Sequence, residues 1–448
     1  MNLSEVKSVY LLGIGGIGMS ALARYFKRNG ASVSGYDKTP SDLTDQLIEE
    51  GIPVHFDERT EHVTQADLYI YTPAIPKNHP AFEHVRNMGM EWFKRSQVLE
   101  WITQQSKCIA VSGTHGKTTT TAFLAHILHE CKANVSAFVG GVMTNYDSNL
   151  IASPNSEYTV VEADEYDRSF LRLHPEIAIV TSLDPDHLDI YGTFEQMKAD
   201  YRTFASAAKT LIVNERVKTE FPAALTYGQN QGSNYQVVNI QVVDGRFQFD
   251  VQFKDQRIGT FRSSLPGRHN VENALAAITV CHQLGIDMKA VENAVASFKG
   301  VQRRFERVVD QENIVLVDDY AHHPKEIEAA IGAARELYPN KKLSVVFQPH
   351  LYTRTRDLED GFVDSLSKSD ELILLPIYPA REEPISGVSS ANLLNKCPLK
   401  TKLMVEKSHL VNAVLSLSPE VVLMLGAGDI DRLVKPLAKA LENKAYVE

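Results

Sequence analysis

The stretch Ala110–Leu128, AVSGTHGKTTTTAFLAHIL, decides the fold class of this 448-residue chain. An apolar, strand-like run ends at Gly113, a short loop of glycine and threonine follows, and an apolar helical pattern resumes after Lys117. A strand, a glycine-rich loop and a helix in this order form the triphosphate-binding loop of α/β proteins. Val111 stands where the general GxxxxGK[ST] pattern has glycine, but the lysine and threonine are in place. The stretch therefore predicts a nucleoside triphosphate site.

A second stretch of the same form, Val9–Phe26 (VYLLGIGGIGMSALARYF), lies closer to the N-terminus. Its loop glycines are Gly13, Gly15, Gly16 and Gly18. They satisfy GxGxxG between a strand and a helix, and Asp37 follows near the end of the next strand. Glycines let the backbone approach a diphosphate, and Asp37 could accept from a ribose or base donor. The loop predicts a nucleotide diphosphate, UDP as readily as NAD; a loop that merely turns tightly is the alternative.

Length and composition restrict the class of protein. A chain of 448 residues predicts about three domains. The 44% hydrophobic and 23% charged residues are typical of a soluble globular protein, and a net charge of -10 argues against nucleic-acid binding. No apolar run reaches the ~18–20 residues of a membrane helix, and the N-terminal residues lack a signal-peptide pattern. We therefore expect a cytoplasmic protein without membrane insertion.

Strand-like and helical patterns alternate along the chain, which predicts an α/β fold with parallel sheets. Period-two alternation around Asp244 and Gly245 predicts antiparallel strands added to the central part. We expect an N-terminal Rossmann-like domain over residues 1–103, a central P-loop domain with added antiparallel strands over 104–302, and a C-terminal Rossmann-like domain over 303–448.

Acidic residues follow two strands of the central part. Glu162 ends one strand-like run, and His187 lies in the segment DPDHLD after the next. Carboxylates clustered after strands repel one another unless a cation lies among them, and Mg²⁺ prefers such hard oxygen ligands. Imidazole is an unusual ligand for Mg²⁺, so a metal role for His187 is an open alternative. For the neighbouring acids, solvated loop charge or helix capping is the better interpretation.

Basic and acidic side chains also follow two strands of the C-terminal part. The segment DDYAHHP contains Asp319 and His322, and Pro324 is suited to the first turn of the next helix. The segment QPHLYTRTR contains Arg354 and Arg356, and the rigid fork of arginine suits a carboxylate or phosphate. Two adjacent histidines just beyond a strand cannot both point into a core, so at least one should face a cleft.

Eight motifs spread over nearly the whole chain resemble the Mur ligases of bacterial peptidoglycan synthesis. In chain order they are GIGGIGMSALA, GTHGKTTTT, EADEYDRSF, DPDHLDIYG, PGRHNVENALAA, RRFE, DDYAHHP and FQPHLYTRTRD. The sequence is most similar to the alanine-adding branch. The resemblance implies three domains that bind a UDP-sugar, ATP and an amino acid in turn. It also implies that L-alanine is joined to the lactyl carboxylate of UDP-N-acetylmuramate through an acyl phosphate.

The resemblance further implies roles for individual residues. The implied ATP contacts are Gly113, Thr114, His115, Gly116, Lys117, Thr118, Thr119, His269, Asn270, Asn273 and Arg304. The implied contacts to the other two substrates are Gly13, Gly15, Gly16, Gly18, Asp37, Tyr320, Arg354 and Arg356. The implied Mg²⁺ ligands are Thr118, Glu162 and His187. The implied catalytic residues are Lys117, Asp319 and His322, with His322 orienting the amine or stabilising the tetrahedral oxygen.

Two positions depart from the family pattern. Leu351 stands where many relatives have arginine, so recognition of the amino-acid carboxylate should rest on Arg354 and Arg356. Arg202 lies near the place of the modified lysine of ligases that add later residues, as is expected of the alanine-adding branch.

Three other functions remain alternatives at this stage. One is the related ligase that returns a whole tripeptide to the same UDP-sugar. Another is an NAD-dependent oxidoreductase with an attached NTPase domain, and the third is an ATP-driven binding module. We expect a monomer or a weak homodimer.

Overall fold

The computed structural model describes residues 3–185, 188–380 and 382–445, which form three β-sheets flanked by helices. The chain divides into two compact units. The first comprises Met1–Ile240, Phe249–Arg262 and Glu272–Lys299, and the second comprises Gln241–Gln248, Ser263–Val271 and Gly300–Glu448. The first unit contains the five-stranded sheet and most of the ten-stranded sheet, and the six-stranded sheet belongs to the second unit.

The first sheet has five parallel strands. They are β1 (Ser8–Leu12), β2 (Ser32–Tyr36), β3 (Val54–His55), β4 (Leu68–Tyr71) and β5 (Trp92–Lys94). The spatial order β3-β2-β1-β4-β5 is that of a Rossmann-like sheet, as the sequence predicts. Its helices are α1 (Ile17–Arg28), α2 (Asp42–Glu49), α3 (Pro80–Asn87) and α4 (Arg95–Thr103).

Helix α1 forms where the apolar residues have helical spacing. Met19, Leu22, Ala23 and Phe26 are all buried, and their i, i+3, i+4, i+7 spacing puts them on one face. After the helix, Gly30 has φ of +87°. It thereby provides the left-handed residue with which helices commonly end.

The central sheet has ten strands. They are β6 (Lys107–Ser112), β7 (Val135–Met143), β8 (Ser148–Ile151), β9 (Tyr158–Glu162), β10 (Ile177–Val180), β11 (Thr210–Asn214), β12 (Leu225–Gly228), β13 (Tyr235–Val243), β14 (Arg246–Phe253) and β15 (Gln256–Ser263). Their order is β15-β14-β13-β12-β11-β10-β6-β9-β7-β8. The turn between β13 and β14 has positive φ at Asp244 and Gly245, as a two-residue hairpin turn requires. The hairpin predicted at this Asp-Gly pair is therefore present.

Within the described residues, five α-helices lie between or after these strands. They are α5 (Lys117–Glu130), α6 (Leu188–Tyr191), α7 (Phe194–Ser206), α8 (Arg268–Gln283) and α9 (Met288–Ser297). Helix α5 is buried along most of its length, and it begins directly after the loop that follows β6. The strand, loop and helix predicted for the triphosphate site are thus all present.

The third sheet has six strands in the order β16-β17-β21-β18-β19-β20. They are β16 (Glu306–Asp310), β17 (Val315–Asp319), β18 (Leu343–Phe347), β19 (Glu371–Leu374), β20 (Thr401–Met404) and β21 (Val421–Leu425). Only the edge strand β16 pairs antiparallel with its neighbour. The helices are α10 (Pro324–Leu337), α11 (Tyr352–Asp357), α12 (Glu359–Leu366), α13 (Ser390–Lys396), α14 (Leu410–Ser416) and α15 (Val434–Ala445). Helix α10 begins at Pro324, as predicted.

The first and central sheets share a hydrophobic core. One cluster of buried side chains includes Leu22 and Phe26 of α1 as well as Phe138 of β7 and Leu150 of β8. The ring of Tyr25 lies 5.4 Å from that of Phe138. Length alone predicts a separate core for each domain, whereas this cluster continues across the boundary expected near residue 103. Helix α1 is therefore covered by two sheets.

Among the described residues, no helix combines the length and apolarity needed to cross a bilayer.

Leu22→Ala should lower the free energy of unfolding by about 2–5 kcal/mol, because truncating a leucine in a packed core leaves a cavity. Leu22 is 1% exposed. A guanidinium titration followed by the fluorescence of Trp92 and Trp101 measures the change. Ile48→Ala is the matched control, since Ile48 is 45% exposed; its effect should stay below about 0.5 kcal/mol. Equal losses in the two variants would contradict the shared core.

Candidate active site

The loop between β1 and α1 presents backbone N–H groups at a helix start. Gly13 and Gly15 follow β1, Gly16 caps α1 without a side-chain hydrogen bond, and Gly18 lies in the first turn. A Cβ at Gly15 would come within 2.8 Å of Asp37 Oδ2, so the position requires glycine. Partial positive charge at the first turn can then act on a diphosphate, as the sequence pattern indicates.

Asp37 holds this loop in place. Its Oδ2 accepts from the N–H of Gly15 at 2.8 Å, and its Oδ1 accepts from the N–H of Thr39 at 3.3 Å. A carboxylate has about four acceptor positions, so contact with a ribose or base would use the remaining ones. The carboxylate thus has a structural part that the sequence did not reveal.

A cavity of about 250 Å³ connects the diphosphate loop to the central sheet. Its walls include Gly16 and Gly18 on one side and Gly140, Glu162 and Asp164 on the other. The loop predicted for a diphosphate and the carboxylate predicted for Mg²⁺ therefore line the same space.

Arg95 also lines this cavity and was not predicted from the sequence. It begins α4, and a Cβ at Gly18 would lie 2.8 Å from its Nη1. A guanidinium beside a helix N-terminus suits a diphosphate. The sequence did contain a signal for this residue, the basic pair Lys94 and Arg95 at the end of β5. Side chains at this place lie at the carboxyl edge of a parallel sheet, where ligands bind.

Lys117 provides the positive charge of the triphosphate loop. Its Nζ donates to the carbonyl oxygen of Gly113 at 2.7 Å and to Oε1 of the buried Glu165 at 2.8 Å. Burial acts to lower the pKa of Lys117, but the surrounding carboxylates, Glu165 foremost, outweigh it and raise the pKa. The amine is therefore charged, as binding between β- and γ-phosphates requires.

Residues after β10 brace the triphosphate loop. The N–H of His115 donates to Oγ of Ser182 at 2.8 Å, and the hydroxyls of Thr114 and Ser182 lie 2.9 Å apart. The hydroxyl of Thr181 donates to the carbonyl oxygen of His115 at 2.5 Å. Thr119 is buried in the first turn of α5. The brace by Thr181 and Ser182 was not predicted.

Thr118 and Glu162 are neighbours, as the predicted metal site requires. Burial raises the pKa of Glu162, while the amide of Gly140, the charge of Lys117 and the hydroxyl of Thr118 oppose the rise. The Gly140 N–H donates to Oε1 at 2.8 Å. A hydroxyl and a carboxylate beside a phosphate-binding loop are the hard oxygen donors that suit Mg²⁺.

The third predicted metal ligand, His187, lies outside the described residues. Within the described part of the chain, no three histidine, cysteine, aspartate or glutamate side chains are grouped so as to hold a metal ion. A protein site of one hydroxyl and one carboxylate is consistent with an ion bound largely through substrate phosphates.

The residues predicted for the adenine side divide between the two units. Asn273 lies against the triphosphate loop: a Cβ added at Gly116, whose φ is +83°, would lie 2.7 Å from the Oδ1 of Asn273. The same Oδ1 accepts a hydrogen bond from Oγ1 of Thr120 at 3.2 Å. In the second unit, the Nδ2 of the buried Asn270 donates to the carbonyl oxygen of Pro266, and His269 is exposed. Asn273 thus lies beside the loop and is hydrogen-bonded to α5, the helix that follows it.

Predicted residues of the second unit gather around Tyr320. The guanidinium of Arg304 lies 5.1 Å from the centre of the Tyr320 ring. Asp319 accepts from the N–H groups of Phe305 and Ala321, both at 2.7 Å. Burial, partly opposed by Arg304, raises the pKa of Asp319 to about 6. Asp319 therefore holds the backbone around Tyr320.

His322, His350 and Arg354 form an adjoining group. Nδ1 of His322 lies 2.9 Å from the carbonyl oxygen of Tyr320, and the rings of His322 and His350 are 6.1 Å apart. Nη1 of Arg354 lies 3.3 Å from Nδ1 of His350. Burial lowers the pKa of His322, and it lowers that of His350 to about 4. Both rings are therefore uncharged near neutral pH.

The two predicted carboxylate-binding arginines differ in surroundings. Arg354 is half-buried beside His350, whereas the Arg356 side chain is 53% exposed and donates to Asp357 at 2.7 Å. Leu351 precedes them with φ of +71° and ψ of 137°. The structure thus brings Arg354 into the histidine group and turns Arg356 toward solvent.

Family models match three consecutive parts of the chain. A model described as "Mur ligase family, catalytic domain" matches residues 8–107. "Mur ligase middle domain" matches residues 111–281, and "Mur ligase, glutamate ligase domain" matches residues 303–428.

Two curated relatives and two solved structures show the extent of the similarity. The UDP-N-acetylmuramate–L-alanine ligase of Flavobacterium psychrophilum is 46% identical over 99% of this chain and 100% of the relative. That of Porphyromonas gingivalis W83 is 45% identical over 98% and 100%. The crystal structure of the UDP-N-acetylmuramate-alanine ligase of Thermotoga maritima has a TM-score of 0.86 and 28% identity, covering 98% of this chain and 100% of that one. A murein peptide ligase of Psychrobacter arcticus, with a TM-score of 0.70 and 23% identity over 98% and 99%, shares the fold. This chain therefore belongs to the Mur ligase family of ATP-dependent ligases.

Proposed function

We propose that the chain joins L-alanine to the lactyl carboxylate of UDP-N-acetylmuramate, with ATP cleaved to ADP and phosphate. One observation carries the proposal: the diphosphate loop and the Glu162 carboxylate beside the triphosphate loop line one cavity. A sugar nucleotide held at Gly16 and Gly18 can extend its acid end toward the place where ATP is bound. The names of relatives 43–46% identical over almost the full length support the same reaction.

We further propose that residues 1–103, 104–302 and 303–448 bind the UDP-sugar, ATP and alanine in turn. The three family matches, over residues 8–107, 111–281 and 303–428, each lie almost wholly within one of these parts. A cytoplasmic location and a monomer or weak homodimer remain our predictions. Arg202, near the place of the modified lysine in other branches, pairs with Glu220 on the surface, which is consistent with a branch that lacks that group.

The first chemical step is activation of a carboxylate, which is a poor electrophile. The lactyl carboxylate attacks the γ-phosphorus of ATP, the bond to ADP breaks, and an acyl phosphate results. The charged Nζ of Lys117 attracts the phosphate oxygens, and backbone N–H groups at the start of α5 support them. Thr118 and Glu162, with His187 as a third candidate, would hold Mg²⁺. When bound there, the ion would reduce the charge repulsion between phosphate and carboxylate.

In the second step the uncharged amine of alanine attacks the carbonyl carbon of the acyl phosphate. The carbon–oxygen bond to phosphate breaks, and the nitrogen loses a proton to solvent or to the released phosphate as the amide forms. Nδ1 of His322 faces a carbonyl oxygen, which can only accept, so in the neutral ring Nδ1 carries the proton and Nε2 is an acceptor. His322 is therefore suited to orient the alanine amine. A ring with Nε2 unprotonated cannot donate to a tetrahedral oxygen, which favours the first of the two roles considered for this residue.

Arg354 is the better candidate for the alanine carboxylate, because His350 and burial restrict its guanidinium. Tyr320 and Arg304 form the neighbouring wall. We propose that Asp319 acts through the loop that it holds, since both of its oxygens accept from backbone N–H groups.

Phosphate release should require UDP-N-acetylmuramate, L-alanine, ATP and Mg²⁺ together. A coupled phosphate assay with single omissions tests this, because the acyl phosphate cannot form without the sugar nucleotide. Replacing alanine with L-alanyl-γ-D-glutamyl-diaminopimelate distinguishes the recycling ligase, and NAD reduction is measured in parallel. Release at an equal rate without the sugar nucleotide would refute the proposed reaction.

Lys117→Ala should lower the rate by about 10²- to 10³-fold, the loss typical when one group that stabilises transition-state charge is removed. The variant leaves buried Glu165 without its partner, so Lys117→Ala/Glu165→Gln serves as a second form with less unpaired charge. Lys107→Ala is the control, because Lys107 makes a surface ion pair with Glu157. A full rate in both Lys117 variants would exclude the lysine from phosphoryl transfer.

Arg354→Ala should raise the KM for alanine about ten- to a hundred-fold, because a hydrogen bond to a charged group contributes about 1.5–3 kcal/mol. The KM for ATP should change little. Arg356→Ala is the matched control, and initial rates over a range of alanine concentrations give both constants. A larger alanine effect in Arg356→Ala than in Arg354→Ala would reverse the assignment.

A further inference from the structure

A buried polar network joins α1 to the edge of the central sheet. Arg24 of α1 carries a guanidinium, which is charged in proteins, yet it is only 2% exposed. Its Nη1 donates to Oδ1 of Asn149 in β8 at 2.5 Å, and its Nε donates to Oε1 of Glu50 at 2.8 Å. Its Nη2 donates to Oε1 of Gln46 at 3.2 Å. The guanidinium thus has partners on α2, on the residue after α2 and on the central sheet.

Asn149 continues the network to the first turn of α1. Its side chain has no exposed surface, and its Nδ2 donates to the carbonyl oxygen of Ile17 at 2.6 Å and to Oγ of Ser20 at 2.9 Å. Ile17 directly follows Gly16, the N-cap of α1. An amide from the central sheet therefore holds the turn that presents the diphosphate loop.

The same strands lead to the Glu162 carboxylate. Strand β8 pairs with β7, and β7 contains Gly140, whose N–H holds Oε1 of Glu162. Asn149 and Gly140 thus lie on two paired strands, one fixing the diphosphate loop and the other fixing the carboxylate.

Apolar side chains between α1 and β8 could be buried at a lower cost in free energy than this polar network. Burying a guanidinium and an amide is costly unless each is hydrogen-bonded, and apolar replacements are often as stable. Hydrogen bonds differ from apolar contacts in being directional. Three of them, from Arg24 to Asn149 and from Asn149 to Ile17 and Ser20, fix both the rotation and the sliding of α1 on the strand. The surrounding leucine and phenylalanine contacts alone would leave these motions less restricted.

We propose that Arg24 and Asn149 are positioning residues that set the place of the diphosphate loop relative to Glu162. Their function is to hold the sugar nucleotide so that its carboxylate meets the γ-phosphate. The inference rests on the proposed function, and it assigns these side chains no contact with substrate.

Asn149→Asp is the sharpest test, because it keeps the shape and the acceptor for Arg24 but replaces the donor to Ile17 and Ser20 with an oxygen. We expect the KM for UDP-N-acetylmuramate to rise about tenfold or more, as loss of a hydrogen-bonded contact near a charge implies. The Kd of a non-hydrolysable ATP analogue, measured by calorimetry, should stay within about twofold, because the triphosphate loop has its own brace. Ser20→Ala, a smaller change that keeps the ion pair, should raise the same KM more weakly.

Arg24→Lys and Arg28→Ala complete the set. The lysine keeps the charge but cannot reach all three partners of Arg24, so it should raise the KM for the sugar nucleotide. Arg28 lies one turn further along α1 and is exposed, so Arg28→Ala should behave like the parent.

The outcomes separate the two proposals. A parent chain that does not bind UDP-N-acetylmuramate would overturn the proposed function. A parent that binds it, with Asn149→Asp and Ser20→Ala that lose thermal stability but keep both nucleotide constants, would overturn the positioning role alone. Parallel loss of affinity for both nucleotides would also overturn it, since that pattern indicates general destabilisation.

Discussion

The charge of Lys117 is the interaction on which the central site depends. The chain has a net charge of -10, and the proposed reaction gathers a diphosphate, a triphosphate and a carboxylate. Three further carboxylates, those of Glu162, Asp164 and Glu165, act on this lysine and keep it protonated. The same cluster would repel a phosphate without a cation among its members. Positive charge is therefore supplied locally, by Lys117, by Arg95 and by the first turns of α1 and α5.

Local charge serves the reaction only if the two phosphate sites keep a fixed separation. Helix α1 meets this requirement because it is packed on both sides, against its own sheet and against β7 and β8. The apolar face of α1 contributes buried surface area, which does not fix the orientation of the helix. The hydrogen bonds of Arg24 and Asn149 are directional and do fix it. If α1 packed against its own sheet alone, only that sheet would define the position of the helix and of the phosphate loop at its start. The core shared by the first and central sheets thus stabilises the fold and also keeps the two proposed phosphate sites at a fixed separation.

The sequence predicted the features that short-range sterics dictate. Both glycine loops, the Asp-Gly hairpin and the start of α10 at Pro324 were predictable because turns and helix starts restrict the residues that they accept. Side chains whose partners are distant in sequence were not. Asp37 and Asn273 were predicted as ligand contacts and Asp319 as a catalytic residue. In the structure Asp37 and Asp319 accept from backbone N–H groups of loops, and Asn273 accepts from Thr120 in α5. These partners are brought near only by the fold. Asn149 has no local motif and was missed. Arg95 was missed although the basic pair Lys94 and Arg95 at the end of β5 was a local signal.

Leu351 shows how the proposed amino-acid site depends on backbone conformation rather than on one side chain. Its φ of +71° costs a leucine about 1–3 kcal/mol, and such strain persists only where surrounding contacts enforce it. Here its N–H donates to the carbonyl oxygen of Tyr378, and its own carbonyl accepts from Thr355. The turn sends the chain from His350 into α11, whose first turn carries Arg354 back beside the His350 ring. An arginine at position 351 would meet the same backbone constraints. The place of Arg354 is therefore set by the strained turn, and it does not require the residue that many relatives have there.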